Sequence, residues 1–462
     1  MRIIKRHKEG RRYLLAPIYL NPSSLHIELD YIGEITPTFL VVERMVLKET
    51  KAKLSSKWRN SQFIRFFGPA LVVSVAYVDP GNFGTAIASG AVYGYTLLWT
   101  VWFASIMAML LQYLSGKIGI AAGQSMPELV REKLKSNSKI VAYWLSSELF
   151  AIATDLAEFL GVALALHLLF GIPLLLAAAI ASFDVVIIFV LAGKRFRRVE
   201  MLIGVLVSII GVGYVYELFI TQPNLASIAF HSVTPILTPE AVPLVVGIIG
   251  ATVMPHALAV HSWLTKNKLT KGDNEEKHRL LRYHTIDNVL NLSIAGFVNA
   301  AILIMAAAAF SGSSVGTVEE AYYTLTPLFG VFASVVFGIT LLASGISSSM
   351  TGVLAGQALM EGLLGRRIHP WLRRIVVRGI NVVPTMIAIY LGFNALDLLV
   401  YSQIILSLLI PVPLIPIIYL TSKKDIMGPF VNRRYTTIIA LVFASLILVF
   451  NAYFLIQTIL LV

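Results

Sequence analysis

Eleven apolar runs, most of them near or above the roughly 20 residues a helix needs to cross a bilayer, follow one another along this 462-residue chain. They cover residues 64–91, 94–122, 138–169, 172–193, 199–220, 241–264, 284–311, 326–357, 374–392, 395–421 and 434–461. The runs are continuous, not alternating at every second residue, which excludes an outer-membrane β-barrel. Only 13% of residues are charged, about half the share of a soluble domain. A soluble enzyme and a nucleic-acid binder are therefore excluded. With no cysteine, so are disulfide scaffolds, thiolate catalysis and Cys-ligated zinc or iron–sulfur sites. The expected fold class is an all-α polytopic membrane protein with about 11 transmembrane helices.

The net charge of +12 is distributed with a pattern. Residues 1–60 hold 12 Lys/Arg against 6 Asp/Glu. They read as a basic N-terminal extension, poorly ordered and cytoplasmic, without the apolar stretch and cleavage site of a signal peptide. Further on, basic residues fall in every second loop: Lys117, Arg131, Lys133, Lys135 and Lys139; Lys194, Arg195, Arg197 and Arg198; Lys266, Lys268, Lys271, Lys277, Arg279 and Arg282; Arg366, Arg367, Arg373 and Arg374; Lys423, Lys424, Arg433 and Arg434. The loops near 90–94, 169–173, 220–241, 311–326 and 392–397 have none. The expected topology is a multi-pass cell-membrane protein with a cytoplasmic N-terminus and an outside C-terminus. Residues 61–421 form the expected core, and 422–462 add an eleventh helix.

Two runs are broken by proline. The first reads Ala76-Tyr-Val-Asp79-Pro80-Gly81-Asn82, and the sixth Ala251-Thr-Val-Met254-Pro255-His256. Proline donates no hydrogen bond and clashes with the carbonyl four residues back, which frees the oxygens of Ala76 and Ala251. Gly81 weakens the first break further. Backbone broken at membrane depth persists only beside protein or a wet cavity. The breaks lie five spans apart. Halves of five crossings, about 64–220 and 241–421, would be related as an inverted repeat, and matched discontinuous helices mark a transporter's midplane site. Two ordinary proline kinks would look alike, but the first break also holds an aspartate. A carboxylate there costs roughly 2.5–3.5 kcal/mol or more, and apart from Arg65, at the very start of the first span and fourteen residues before Asp79, neither span contains a Lys or Arg to pair with it.

A bound cation is the better partner for Asp79. Asp79, Asn82 and the carbonyls of Ala76 and Ala251 offer hard oxygens, whereas the Met254 thioether is soft and offers little to Ca2+ or Mg2+. Core packing is the commoner fate of a methionine, yet Met254 directly precedes Pro255. The mixed set points to a first-row divalent ion such as Mn2+ or Fe2+, with Co2+ and Cd2+ accommodated.

In the third run Glu148, Asp155 and Glu158 are spaced by seven and three residues, so they lie near one helical face. They read as a proton relay or wet pathway, or else as a helix end in water. His256 could pass protons from Asp79. His261, five residues on, cannot share an ion with it from a regular helix. A satisfied hydrogen bond, a pore-lining role and proton transfer all remain open for it. Arg378 could receive the proton or snorkel to the surface, and Asn299 could line the pathway or bond a neighbouring helix.

Two stretches, GPALVVSVAYVDPGNFGTAI and GIIGATVMPHALAVHS, resemble the paired signatures of the Nramp family of divalent-metal transporters, and residues 341–362 resemble that family's eighth span. The resemblance implies a leucine-transporter-like 5+5 inverted repeat with helices 1 and 6 unwound at midplane. It implies proton-coupled import of Mn2+ or Fe2+, with metal ligands at Asp79, Asn82, Met254, Ala76 and Ala251, and Gln403 near the metal. It also places Asp155 and Glu158, in TDLAEF, on a proton route. The sequence departs from the family pattern at Ala257, Ile346 and Leu408. Neither an enzyme nor a bound cofactor is expected, and a monomer suffices: the partners are the ion, protons and lipid, with no nucleic acid. An ion-coupled carrier of another solute on the same fold is the alternative.

Overall fold

The computed structural model describes residues 68–183, 196–269, 272–311, 317–365 and 370–461. The expected extension at 1–60 and the second half of the fourth span lie outside these residues. All regular structure among the described residues is helical.

The first span is two helices, α1 (Pro69–Ala76) and α2 (Pro80–Tyr93). The second span is α3 (Leu98–Ala122). A short helix, α4 (Met126–Leu134), follows, and opens on a capping box between Ser125 and Glu128. The third span is α5 (Asn137–Phe170), α6 (Leu174–Ala181) opens the fourth, and α7 (Phe196–Thr221) forms the fifth. After α8 (Leu225–Val233), the sixth span again has two parts, α9 (Val242–Thr252) and α10 (Pro255–Lys266). Then come α11 (Asn274–Phe310), α12 (Val318–Phe329), α13 (Val331–Leu359), α14 (Pro370–Tyr390), α15 (Ala395–Leu409), α16 (Pro411–Thr421) and α17 (Arg434–Leu461).

Among the described residues, eight stretches are long and apolar enough to cross a membrane by length and composition. The other three expected spans fall short for separate reasons. The first is cut into pieces of 8 and 14 residues. The fourth is described only as far as residue 183. In the ninth the apolar stretch among the described residues runs over Ile375–Tyr390.

Several boundaries differ from the sequence reading. The 220–241 loop contains α8, because the Asn224 side chain accepts from Ser227 N–H and caps it. Trp99 Nε1 and Trp102 Nε1 pin this segment through Ile236 O and Ser232 Oγ, each at 3.1 Å. The eighth span begins at Val331, not 326: the preceding residues belong to α12, which Thr317 caps. The seventh helix starts ten residues early, at Asn274, because Asp273 caps a polar extension of the apolar run. The tenth span is interrupted between α15 and α16, where Pro411 cannot continue the hydrogen-bond ladder. Lys117 is not a loop residue. It is buried within α3, donates to Asn432 Oδ1 at 2.8 Å and lies 5.9 Å from the Tyr113 ring centroid.

The broken spans occupy the centre. α9 packs on α2 and α15, α10 on α3 and α13, and α13 on α5. Beyond α10, the Lys266 ammonium meets Glu128 and ties α4 to the end of the sixth span. Burial alone would raise the Glu128 carboxyl. Lys266 and the Ser125 N–H outweigh it and hold the group below the usual carboxylate range. On the exterior, large apolar side chains such as Val212, Phe219, Phe297 and Ile459 stand exposed, as lipid-facing positions do.

Candidate metal site at the paired helix breaks

α1 stops at Ala76 because Pro80 has no N–H to return to it. Tyr77, Val78 and Asp79 then run without helical structure to the start of α2. Asp79 caps that helix: its Oδ1 accepts from Asn82 N–H at 2.8 Å. Ser344 on α13 donates to Val78 O at 2.5 Å and fixes the unwound stretch from the side. In the sixth span, α9 ends at Thr252 and Met254 precedes Pro255 as the N-cap of α10.

Asn82 joins the two breaks. Its Nδ2 donates to Asp79 Oδ1 at 2.9 Å and to Ala251 O at 2.8 Å. The Ala251 carbonyl, freed by Pro255, thus meets the carboxylate of the other broken span through a single amide. Asp79 Oδ2 has no protein partner and is fully buried. Gln403 on α15 donates from Nε2 to Ser402 Oγ at 2.9 Å, and its Oε1 is buried without a partner. Thr252 Oγ1 and both side-chain atoms of Asn299 are likewise buried and unpaired. Met254 is fully buried, three residues beyond Ala251.

Two glycines allow this close approach. A Cβ on Gly81 would lie 2.0 Å from Gln403 Nε2, and one on Gly250 would lie 1.9 Å from the Gln403 backbone oxygen. A side chain can turn aside, but backbone held inside a helix cannot. Gly250→Ala is therefore expected to destabilise the protein by at least about 1–3 kcal/mol through overpacking. The thermal midpoint in detergent checks this. Gly204→Ala, where nothing lies within 4 Å, should leave it unchanged or raise it.

The predicted proton-pathway residues divide between two neighbourhoods. His256 faces α5, with its Nδ1 3.0 Å from Thr154 Oγ1. The Thr154 hydroxyl donates to Phe150 O at 2.9 Å, so it accepts from the imidazole. The proton therefore sits on Nδ1 and leaves Nε2 unpaired. Beside Thr154, Asp155 accepts from Asn381 Nδ2 at 2.8 Å and faces Arg378 Nη1 at 3.6 Å. Arg378 is buried and stacks 5.2 Å from the Phe159 ring centroid, so it does not snorkel. Glu158 is fully buried against Gly352 of α13, while Glu148 is only half-buried.

His261 turns to another helix, α3. It lies 2.9 Å from Gln112 Oε1, and Gln112 Nε2 donates to Tyr77 OH at 2.7 Å. Its Nδ1 is thus hydrogen-bonded while its Nε2 is buried without a partner, and it faces a different helix from His256. Sequence reasoning passed over Thr154, Gln112, Tyr77, Asn381 and Ser344, whose types are common in any helix. It also passed over two fully buried carboxylates, Asp287 and Glu217. Their signal was present, since an ionisable residue inside an apolar run is itself a functional pointer.

Among the described residues, no three His, Asp or Glu side chains converge as a metal cluster. A cation at the breaks would therefore be held by one carboxylate with amide, carbonyl and thioether groups. Such a set favours reversible capture over permanent storage.

Residues 70–457 match the family described as natural resistance-associated macrophage protein-like. A protein named divalent metal cation transporter MntH from Granulibacter bethesdensis is 44% identical over 437 residues, covering 92% of this chain and 97% of its own. Its namesake from Deinococcus radiodurans is 42% identical over 397 residues, covering 85% and 90%. Among solved structures, the Eremococcus coleocola manganese transporter superposes with a TM-score of 0.77 at 31% identity, covering 87% of each chain. MhsT in complex with L-phenylalanine gives 0.56 at 15% identity, covering 85% and 97%. That likeness is one of fold alone.

Proposed function

Because this chain belongs to the Nramp family, with its paired broken spans in a leucine-transporter-like 5+5 arrangement, we propose that it imports Mn2+ or Fe2+ by secondary active transport coupled to protons. One observation carries the metal arm. Asn82 bridges the Asp79 carboxylate and the Ala251 carbonyl across two helix breaks, and the buried Met254 lies three residues beyond Ala251. In this reading the ion displaces the Asn82 amide hydrogens. It is then held by Asp79, by the oxygen of Asn82, by the carbonyls of Ala76 and Ala251, by Met254 and, in one state of the cycle, by Gln403. A carboxylate at this position is unwelcoming to an amino-acid carboxylate, which argues against an organic solute.

The proton arm rests on the chain of polar contacts from the sixth span into the third. A metal ion requires a deprotonated Asp79, so metal entry expels or redirects a proton. His256 touches Thr154, and the neighbouring Asp155 faces Arg378 and Asn381. The proton would leave along that route while the metal leaves from the breaks. The basic loops mark the cytoplasmic side in this proposal. A monomer holds every residue the cycle uses.

Proteoliposomes loaded with a Mn2+ indicator and a pH dye test the coupling. Mn2+ uptake should be accompanied by internal acidification and should rise with an inward proton gradient. Asp155→Asn should cut the acidification by about a hundredfold or more, since a proton relay contributes on the order of 10²–10⁴ in rate, while some Mn2+ entry persists. Mn2+ entry without acidification in the unaltered protein would refute proton coupling.

A further inference from the structure

Glu217 is the one carboxylate among the described spanning residues that the mechanism leaves without a task and whose two oxygens both lack a partner. Its side chain is fully buried in α7, and neither Oε1 nor Oε2 has a hydrogen-bonding group within reach. No Lys or Arg among the described residues pairs with it. A structural carboxylate at membrane depth would be expected to have such a partner.

Its position follows from neighbouring rings. Phe83 directly follows Asn82 on α2, and its ring meets Tyr214 of α7 edge-on at 5.4 Å. Phe337 of α13 packs on Phe83 at 6.2 Å, and Tyr322 of α12 packs on Phe337 at 6.5 Å. These four buried rings form a layer on one side of Asp79 and Asn82. Both α2 and α7 run away from the basic loops as their numbers rise. Glu217 is three residues beyond Tyr214, about 4.5 Å further along α7, and four residues before the helix ends at Thr221. It therefore sits just past the ring layer, between the helix end and the paired breaks. Tyr214 and Glu217, three residues apart, lie on the same face of α7.

We infer that Glu217 is a relay site that captures the hydrated divalent cation outside the ring layer before it passes to Asp79. The inference rests on the transport reading and on the orientation proposed with it. A hydrated cation supplies partners for both carboxylate oxygens at once. Glu217 and the Tyr214 hydroxyl are oxygen donors, and a site built from them is hard. It should therefore accept Ca2+ as readily as Mn2+. Selectivity arises one step later, at Met254.

The test is Mn2+ uptake into proteoliposomes by the unaltered protein, Glu217→Gln and Glu217→Asp. Glu217→Gln should raise KM for Mn2+ about three- to tenfold with the maximal rate retained, and Glu217→Asp should restore most of it. External Ca2+ should raise KM in the unaltered protein, without itself being carried, and should have no effect in Glu217→Gln. An unchanged KM with unchanged Ca2+ sensitivity would overturn the inference. So would a lowered maximal rate, or a lost proton dependence, at unchanged KM: Glu217 would then serve packing or protons. Should the unaltered protein carry no Mn2+, the transport reading fails, and electron paramagnetic resonance of Mn2+ bound to detergent-purified protein still decides. Asp79→Asn should keep a weak bound signal that Asp79→Asn with Glu217→Gln loses, and equal signals would refute the relay.

Discussion

Replacing Asp79 by asparagine is expected to reduce Mn2+ uptake in proteoliposomes about a hundredfold or more. Removing one member of a buried charge pair costs about 3–5 kcal/mol, and 1.4 kcal/mol is a factor of ten in affinity. Asparagine isolates the charge from the fold. The Asp79 side chain also caps α2 through Asn82 N–H, and alanine would lose that cap as well, at about 1 kcal/mol. Asparagine keeps an oxygen at the same place. The thermal midpoint of Asp79→Asn should therefore match the unaltered protein, or exceed it, while transport is lost. If Asp79→Asn retained more than a tenth of the uptake rate, the carboxylate would not be the metal's principal ligand.

The second large effect concerns selectivity. Met254→Ala should let Ca2+ through: 45Ca uptake, absent from the unaltered protein, should become measurable and saturable. Without the thioether the remaining donors are oxygens, and these give Ca2+ no disadvantage. Mn2+, which binds oxygen nearly as well, should lose no more than about threefold. Cd2+, which depends most on sulfur, should lose about tenfold or more, about 1.4 kcal/mol. Met254 is fully buried, so its truncation also removes packing worth about 2–5 kcal/mol. Met254→Leu serves as the control because it keeps the volume and lacks only the sulfur. If Met254→Leu excluded Ca2+ as fully as methionine does, selectivity would lie elsewhere.

The legible parts of the sequence were those governed by local chemistry. Long apolar runs located the spans, because only a helix satisfies its own backbone in lipid. Pro80 and Pro255 located the breaks through a missing N–H, and the Asn82 contact to Ala251 O bears out that this carbonyl is freed. The short helices α8 and α12 were read as loops, because a capped segment of 9 or 12 residues resembles a polar connection. Partner choice was the least legible part. Thr154 and His256 are 102 residues apart, Gln112 and His261 149, and Asp155 and Asn381 226. Nothing in a threonine or a glutamine announces which distant helix it will face. For His261 and Arg378 the sequence leaves several readings open, and burial together with the contacts to Gln112 and Asp155 narrows them.

The central claim is that the two helix breaks form a single site, with oxygen from one and sulfur from the other. X-ray absorption at the cadmium edge, on purified protein loaded with one equivalent of Cd2+, tests it most directly. The expected first shell contains one sulfur among oxygen neighbours, with the sulfur lost in Met254→Leu and binding at the breaks lost in Asp79→Asn. An all-oxygen shell that is the same in the unaltered protein and in Met254→Leu would contradict the account.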